Sequence, residues 1–292
     1  DRIYDGKTAE FIFPPAMIAP INCKQVFIEG LTLERSAFWN VVPTFCEDVI
    51  IRGVQVYSKG IPRGDGIDIE SSKNVLVEYC SLYTGDGCIA IKAGRGYDGL
   101  RAARPSENIV ERYCLAGEGH GGITLGSETA GMIKNLYVHD CAFDGTDVGI
   151  RFKTRRPRGG GGQHIVFENI RMNIGKSALR WDMLGSSTHV CAQASRDFAV
   201  EVNALTPKFS DFTIDNIFIE STRECIQIEG IPESRLENVT ISNLHATGKR
   251  YLAIKDAKDF VIKDSEIYCE DCVIDSVNVT GLVQQNVNII TQ

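Results

Sequence analysis

The sequence predicts an all-β chain wound as a right-handed parallel β-helix of about ten coils. Three observations carry this: a strand-like unit recurs along the chain, its period is short and uneven, and turn residues punctuate it. The unit is a polar pair, an apolar residue, alternation, then a small or acidic residue. It reads CKQVFIEGLTL (23–33), CEDVIIRGVQV (46–56), SKNVLVEYCSL (72–82), SENIVERYCLA (106–116) and IKNLYVHDCAF (133–143). It returns as GQHIVFENIRM (162–172), FSDFTIDNIFI (209–219), LENVTISNLHA (236–246), AKDFVIKDSEI (257–267) and VQQNVNII (283–290).

The first apolar residue anchors each unit: Val26, Val49, Val75, Ile109, Leu136, Ile165, Phe212, Val239, Phe260 and Val287. The steps run from 21 residues (Val239 to Phe260) to 47 (Ile165 to Phe212). Most are too short for helical repeats, and period-two alternation is the mark of strands. A single coil cannot bury its apolar face, so the coils form one core and one solenoid domain over 1–292, with 1–20 as a lead-in. Longer steps are loops, the longest being 185–206. Such insertions gather on one side of a solenoid and frame a binding face.

A second strand line follows in each coil: DGIDIE (65–70), GCIAIK (87–92), GGITLG (121–126), VGIRFK (148–153) and, more loosely, ALRWDM (178–183), CIQIEG (225–230) and YLAIKD (251–256). Stacking puts Ile67, Ile89, Ile123 and Ile150 in one inward column, with Ile69, Ile91, Leu125 and Phe152 in another. Their neighbours turn outward. Asp68, Ala90, Thr124 and Arg151 form one outer column; Glu70, Lys92, Gly126 and Lys153 form the next. Gly64, Asp86 and His120 precede the strands, beside Asp65, Gly87 and Gly121. Strands sit about 4.8 Å apart, so Asp65, Asp68, Asp86, His120, Arg151 and Lys153 meet on one ridge. Two carboxylates beside cations suit hydrolysis of an acidic sugar chain: one protonates the glycosidic oxygen and the other activates water. Arginine binds substrate carboxylates bidentately. Glycines flank Asp65, Asp86 and His120, which marks close approach of backbone or ligand.

The charge balance narrows the partners. A net charge of −7 argues against a general nucleic-acid binder. No apolar run reaches the roughly 18 residues that cross a bilayer, so no membrane partner is expected. Ten cysteines are too few for a disulfide scaffold. Cys23, Cys46, Cys80, Cys114 and Cys141 recur at similar places, as a buried stack does. Cys269 and Cys272 form a lone CxxC without a second pair at metal spacing, so no metal site is expected.

Four motifs then carry a resemblance: R-G-D-G-I-D (63–68), G-D-G-C-I-A-I-K (85–92), G-H-G-G-I-T-L-G-S (119–127) and G-I-R-F-K-T (149–154). In this order, one coil apart, they resemble the polygalacturonase family, glycoside hydrolase family 28, from about Ile21 to Phe209. That family has N-T/N-D-G, G-D-D-C-I-A-I-K, G-H-G and R-I/F-K. The resemblance implies inverting hydrolysis of α-1,4-galacturonosyl bonds in pectin-type polysaccharide, without a cofactor, by a secreted or periplasmic protein. Asp86 is then the general acid, Asp65 a base for water, and His120 a supporting group. Arg151 and Lys153 bind uronate carboxylates, and Lys92, Asp68 and Arg63 join them as candidate substrate-binding positions.

Three departures qualify the resemblance. Gly87 stands where the family has a second aspartate, which implies weakened activity. Arg63-Gly64 replaces the start of the N-T/N-D motif and adds a cation. The family has further N-terminal coils where this chain enters at Ile21, as in a fragment or a naturally short member. Two other readings compete. A pectate lyase would need calcium carboxylates and a base such as arginine, and would release unsaturated products. A non-catalytic chain would bind oligogalacturonide without cleaving it. Among the remaining features, Arg155, Arg156 and Arg158 suggest a flexible basic loop over the groove. Trp181 and Tyr97 are candidate sugar-stacking residues, Asn238 and Asn278 begin N-x-T sequons, and His139, His164, His189 and His245 have no ligand-spaced partners.

Overall fold

The repeat units build stacked parallel strands. The computed structural model describes residues 3–5, 10–12, 14–185 and 195–292. Part of the lead-in, His189 and the centre of the 185–206 excursion lie outside the described residues. Among the rest, 18 strands join one hydrogen-bonded sheet system of a right-handed parallel β-helix. Ile3–Asp5 and Glu10–Ile12 form a separate antiparallel pair.

Eight of the ten predicted anchors lie in one unbroken column, from Val26 opposite Val49 through to Phe212 opposite Val239. Alternation explains why: each anchor points inward, and a slip of one residue would turn it to water. The tenth unit departs from the expected register. Gly281, not Asn286, abuts Asp259, while Asn286 hydrogen-bonds Asp264. Leu282 therefore continues the column, and Val287 lies one corner further on.

The polar pair of each unit makes a corner. Its second member sits in the left-handed region at Asp48, Asn74, Asn108, Asn135 and Asn238, a conformation that Asn and Asp tolerate. Their side chains link coil to coil: Asn74 donates to Asp48 at 2.9 Å, Asn108 to Asn74 at 3.1 Å and Asn135 to Asn108 at 3.1 Å. A second left-handed corner at Gly30, Gly53, Tyr79 and Tyr113 splits each unit in two. The short strands Thr32–Glu34, Gln55–Tyr57, Ser81–Tyr83 and Leu115–Glu118 thus form a strand line of their own, which the sequence reading merged with the anchor line.

The inward columns form one apolar core running from Ile28 to Cys269. Each fully buried isoleucine contributes about 1.5–3 kcal/mol of burial. Cys46, Cys80, Cys114 and Cys141 are buried as expected, whereas Cys23 is exposed. Cys269 and Cys272 are joined in a disulfide. One core column carries an acid: Glu111 lies between Val77 and Val138, 2% exposed, with neither carboxyl oxygen hydrogen-bonded. Burial pushes its pKa well up, so it sits there neutral.

Candidate active site

The second strand line stacks in the expected register. Ile67 faces Ile89, Ile89 faces Ile123, and Ile123 faces Ile150. Outside them lie Asp68, Ala90, Thr124 and Arg151, so the ridge is a direct consequence of the core columns. Beside it runs a groove of 710 Å³ that Arg63, Asp65, Asp86, Lys92, Arg151 and Lys153 all line. Two candidates lie outside this lining: Asp68, fully buried, and His120, on the flank.

Close backbone approach holds the two aspartates. A Cβ at Gly66 would meet the Cys88 carbonyl at 2.4 Å, and one at Gly85 the Ile61 carbonyl at 2.0 Å. Only glycine lets these coils close. The Asn40 amide donates to the Asp65 carbonyl at 2.8 Å, and Ser58 Oγ to the Gly64 carbonyl at 2.5 Å. The Asp86 carbonyl accepts from Thr84 Oγ1 and from the His120 N–H, both at 2.8 Å. Gly87 differs. A Cβ there meets only Asp65 Oδ2 at 3.4 Å and Thr124 Oγ1 at 3.9 Å.

Burial raises the Asp65 pKa to about 7; Lys92 pulls it down and Asp86 pushes it further up. Asp65 is 5% exposed, and its Oδ1 has no hydrogen-bond partner. Burial, and then the Asp65 charge, push the Asp68 carboxyl well above the usual carboxylate range. Lys92 lies 3.3 Å from Asp68 and 3.7 Å from Glu128, with its ammonium 4.8 Å from the Trp39 ring centroid. Burial disfavours the charge on Lys92, but Asp68, Glu128, Asp65 and Glu70 outweigh it and hold the pKa above the ordinary lysine range. Asp68 therefore anchors Lys92 from beneath, and Lys92 is largely committed to its own carboxylates. His120 Nδ1 lies 2.7 Å from Asp147, which also accepts from Lys176 at 2.8 Å.

The cations that face the groove are poorly compensated. Burial lowers the pKa of Arg151, and Arg180 beside it adds repulsion; Lys153 is lowered by burial and by Arg151. Among the described residues, Arg63, Arg95, Arg151, Lys153 and Arg155 form no salt bridge. Arg63, Arg151, Lys153 and Arg155 are partly exposed and Arg95 is exposed, so the groove presents a run of cations to solvent.

Several minor expectations change. Arg156 is buried against Glu233 and Arg158 against Glu128 at 2.9 Å; all three arginines of the basic run line the groove, and Arg155 forms no salt bridge among the described residues. Trp181 is fully buried, stacked on Phe152 at 4.1 Å, and has no face for a sugar; Tyr97 lines the groove, 69% exposed. Asn238 and Asn278 hold Asp211 and Asp256. Trp39 and Glu128 are groove residues that the sequence reading missed. Extending the second strand line back one coil finds Trp39: Val41 bridges Ile67, which sets Trp39 beside Asp65. Glu128 carries no such signal.

Fold and site together define a β-helix with an acid–base ridge and a cationic groove. Residues 6–267 match the model for glycosyl hydrolases family 28, and the chain belongs to that family. It is 28% identical to a probable polygalacturonase of Vitis vinifera, covering 79% of this chain and 46% of that protein. It is 25% identical to an exo-poly-alpha-D-galacturonosidase of Dickeya chrysanthemi, covering 87% of this chain and 42% of that protein. The chain thus spans less than half the length of these curated relatives. The solved hyperthermoactive exopolygalacturonase from Thermotoga maritima superposes with a TM-score of 0.69 at 26% identity, covering 94% of this chain and 55% of that one.

Proposed function

We propose that this chain is an inverting glycoside hydrolase that cleaves α-1,4-galacturonosyl bonds in polygalacturonate or a related uronate polysaccharide. The observation that carries the reading is the meeting of Asp65 and Asp86 with Arg151 and Lys153, which form no salt bridge among the described residues, in one groove. Family membership and the names of the relatives support it. Asp86 protonates the departing glycosidic oxygen. Asp65, once ionised, takes a proton from the attacking water, and the new oxygen–C1 bond forms on the opposite face of the ring. Arg151 and Lys153 hold a substrate carboxylate. His120, fixed by Asp147, supports Asp86 through the backbone rather than from inside the groove.

A second reading, binding of oligogalacturonide without cleavage, has its own support in the missing side chain at Gly87. Reducing-end release from polygalacturonate separates the two. The expected result is slow release that Asp86→Asn abolishes and Gly87→Asp increases. Binding by calorimetry with no release from any of the three proteins would overturn hydrolysis. Unsaturated products absorbing in the ultraviolet would point to elimination instead.

A further inference from the structure

Gly87 leaves a gap in the ridge with an unusual lining. The 3.4 Å and 3.9 Å separations from Asp65 Oδ2 and Thr124 Oγ1 are ordinary contact distances, so the space accepts atoms rather than excluding them. Gly121, one coil on, is different: a Cβ there would lie 2.5 Å from Thr124 Oγ1. Around the gap, polar groups lack partners. Asp65 is 5% exposed with Oδ1 unbonded, and the Thr124 hydroxyl has no hydrogen-bond partner among the described residues. Arg151, register neighbour of Thr124, and Lys153 beyond it form no salt bridge among the described residues, although Asp86 acts on both. Lys92 is committed to Asp68 and Glu128.

We infer that the gap at Gly87 is a binding site for a small carboxylate anion such as formate, seated between Asp65 and the Thr124 hydroxyl and drawn in by Arg151 and Lys153. The site itself rests only on this geometry; its kinetic consequence rests on the proposed hydrolase. Protonated Asp65 donates a hydrogen bond to the anion, whereas ionised Asp65 repels it. The other titratable groups around it are Asp86, Asp68 and Lys92 with the two cations, and Asp65 itself titrates near 7. Binding is therefore strongest below about pH 7 and fades above it. There the anion stands in for the absent side-chain carboxylate. It accepts a proton from the attacking water as the water oxygen bonds to C1. The bond from C1 to the leaving oxygen breaks, and that oxygen takes the proton of Asp86. Formic acid then releases its proton to solvent, Asp86 regains one, and only water is consumed.

The test titrates ¹³C-formate against the purified protein at pH 6 and pH 8, following line broadening, and repeats it with Gly87→Asp and Thr124→Val. The parallel assay measures reducing-end release with and without formate. Expected are saturable millimolar binding at pH 6, at least tenfold weaker in Gly87→Asp and several-fold weaker in Thr124→Val, and formate-stimulated release by the unaltered protein alone. Thr124→Val keeps the test decisive if Gly87→Asp does not fold. Formate that fails to bind saturably, or binds all folded variants alike, would overturn the site. Binding that depends on Gly87 and Thr124, with no release from polygalacturonate under any condition, would uphold the site and sink the hydrolase reading.

Discussion

Two outer faces of the same solenoid treat charge in opposite ways. On the anchor face, Glu47 sits between Lys24 at 3.3 Å and Lys73 at 2.9 Å, and Glu78 between Arg52 at 2.6 Å and Arg112 at 2.8 Å. Each column alternates in sign, so the coil spacing sets opposite charges side by side. On the site face, Arg151 lies beside Arg180 in register, whereas Lys153 on the same strand lies beside Asp182. In the Arg151 column the same spacing sets like charges together. The anchor-face columns neutralise themselves and serve the fold, while the Arg151 column leaves the like-charged Arg151 and Arg180 side by side, with Arg151 lining the groove.

The largest effect expected is on the site face. Asp65→Asn removes the proposed base and should lower kcat by roughly 10²–10⁴-fold. The unaltered protein should gain activity as pH rises through about 7, where Asp65 loses its proton. Steady-state pH profiles check both, and an acid limb surviving in Asp65→Asn would assign it to another group. Next comes Arg151→Gln, which deletes the proposed charged hydrogen bond to substrate, worth about 1.5–3 kcal/mol. KM should rise roughly tenfold to a hundredfold, while the melting temperature holds because repulsion with Arg180 is relieved. A fall in melting temperature without a change in KM would make Arg151 an ordinary structural residue.

The anchor face should answer in reverse. Glu78→Gln leaves Arg52 and Arg112 facing each other. Solvent at the half-exposed arginines keeps the loss to about 1–2 kcal/mol in urea unfolding, with KM unchanged. The smallest effect belongs to the core. Replacing Glu111 by Val, the residue on both sides of it, should stabilise the protein by about 1 kcal/mol, since it removes a buried group without a partner. The native pKa of Glu111 lies above the unfolded one, so the native state holds the extra proton. Stability therefore falls as pH rises above the ordinary glutamate range. Glu111→Val should flatten that slope in unfolding curves at pH 5 and pH 8; an unaltered slope would assign it to Asp68 and Glu70.

The ridge was legible because period-two alternation transmits register. Once Ile67, Ile89, Ile123 and Ile150 align, the places of Asp68, Thr124 and Arg151 follow without further information. What the pattern does not encode is depth. Asp68 and Arg151 occupy one outward column, yet the first is sealed under Lys92 and Trp39 while the second reaches the groove. Loops decide this, and loop shape is not periodic. The same reason hid the pairing of Arg156 with Glu233, which are 77 residues apart. The anchor line failed only at its last unit, where Asn286-Val287 imitates the first corner's polar–apolar step but belongs to the second.

The chain has two tryptophans, and they sit in contrasting places. Trp181 is sealed in the core beneath the strand of Arg151 and Lys153; Trp39 is half-buried at the groove wall against the Lys92 ammonium. Their fluorescence therefore divides into two channels. The short-wavelength emission of Trp181 follows the integrity of the coils. The longer-wavelength emission of Trp39 responds to whatever displaces water from the groove. Without any label, the protein carries one optical probe of its folding and another of its occupancy.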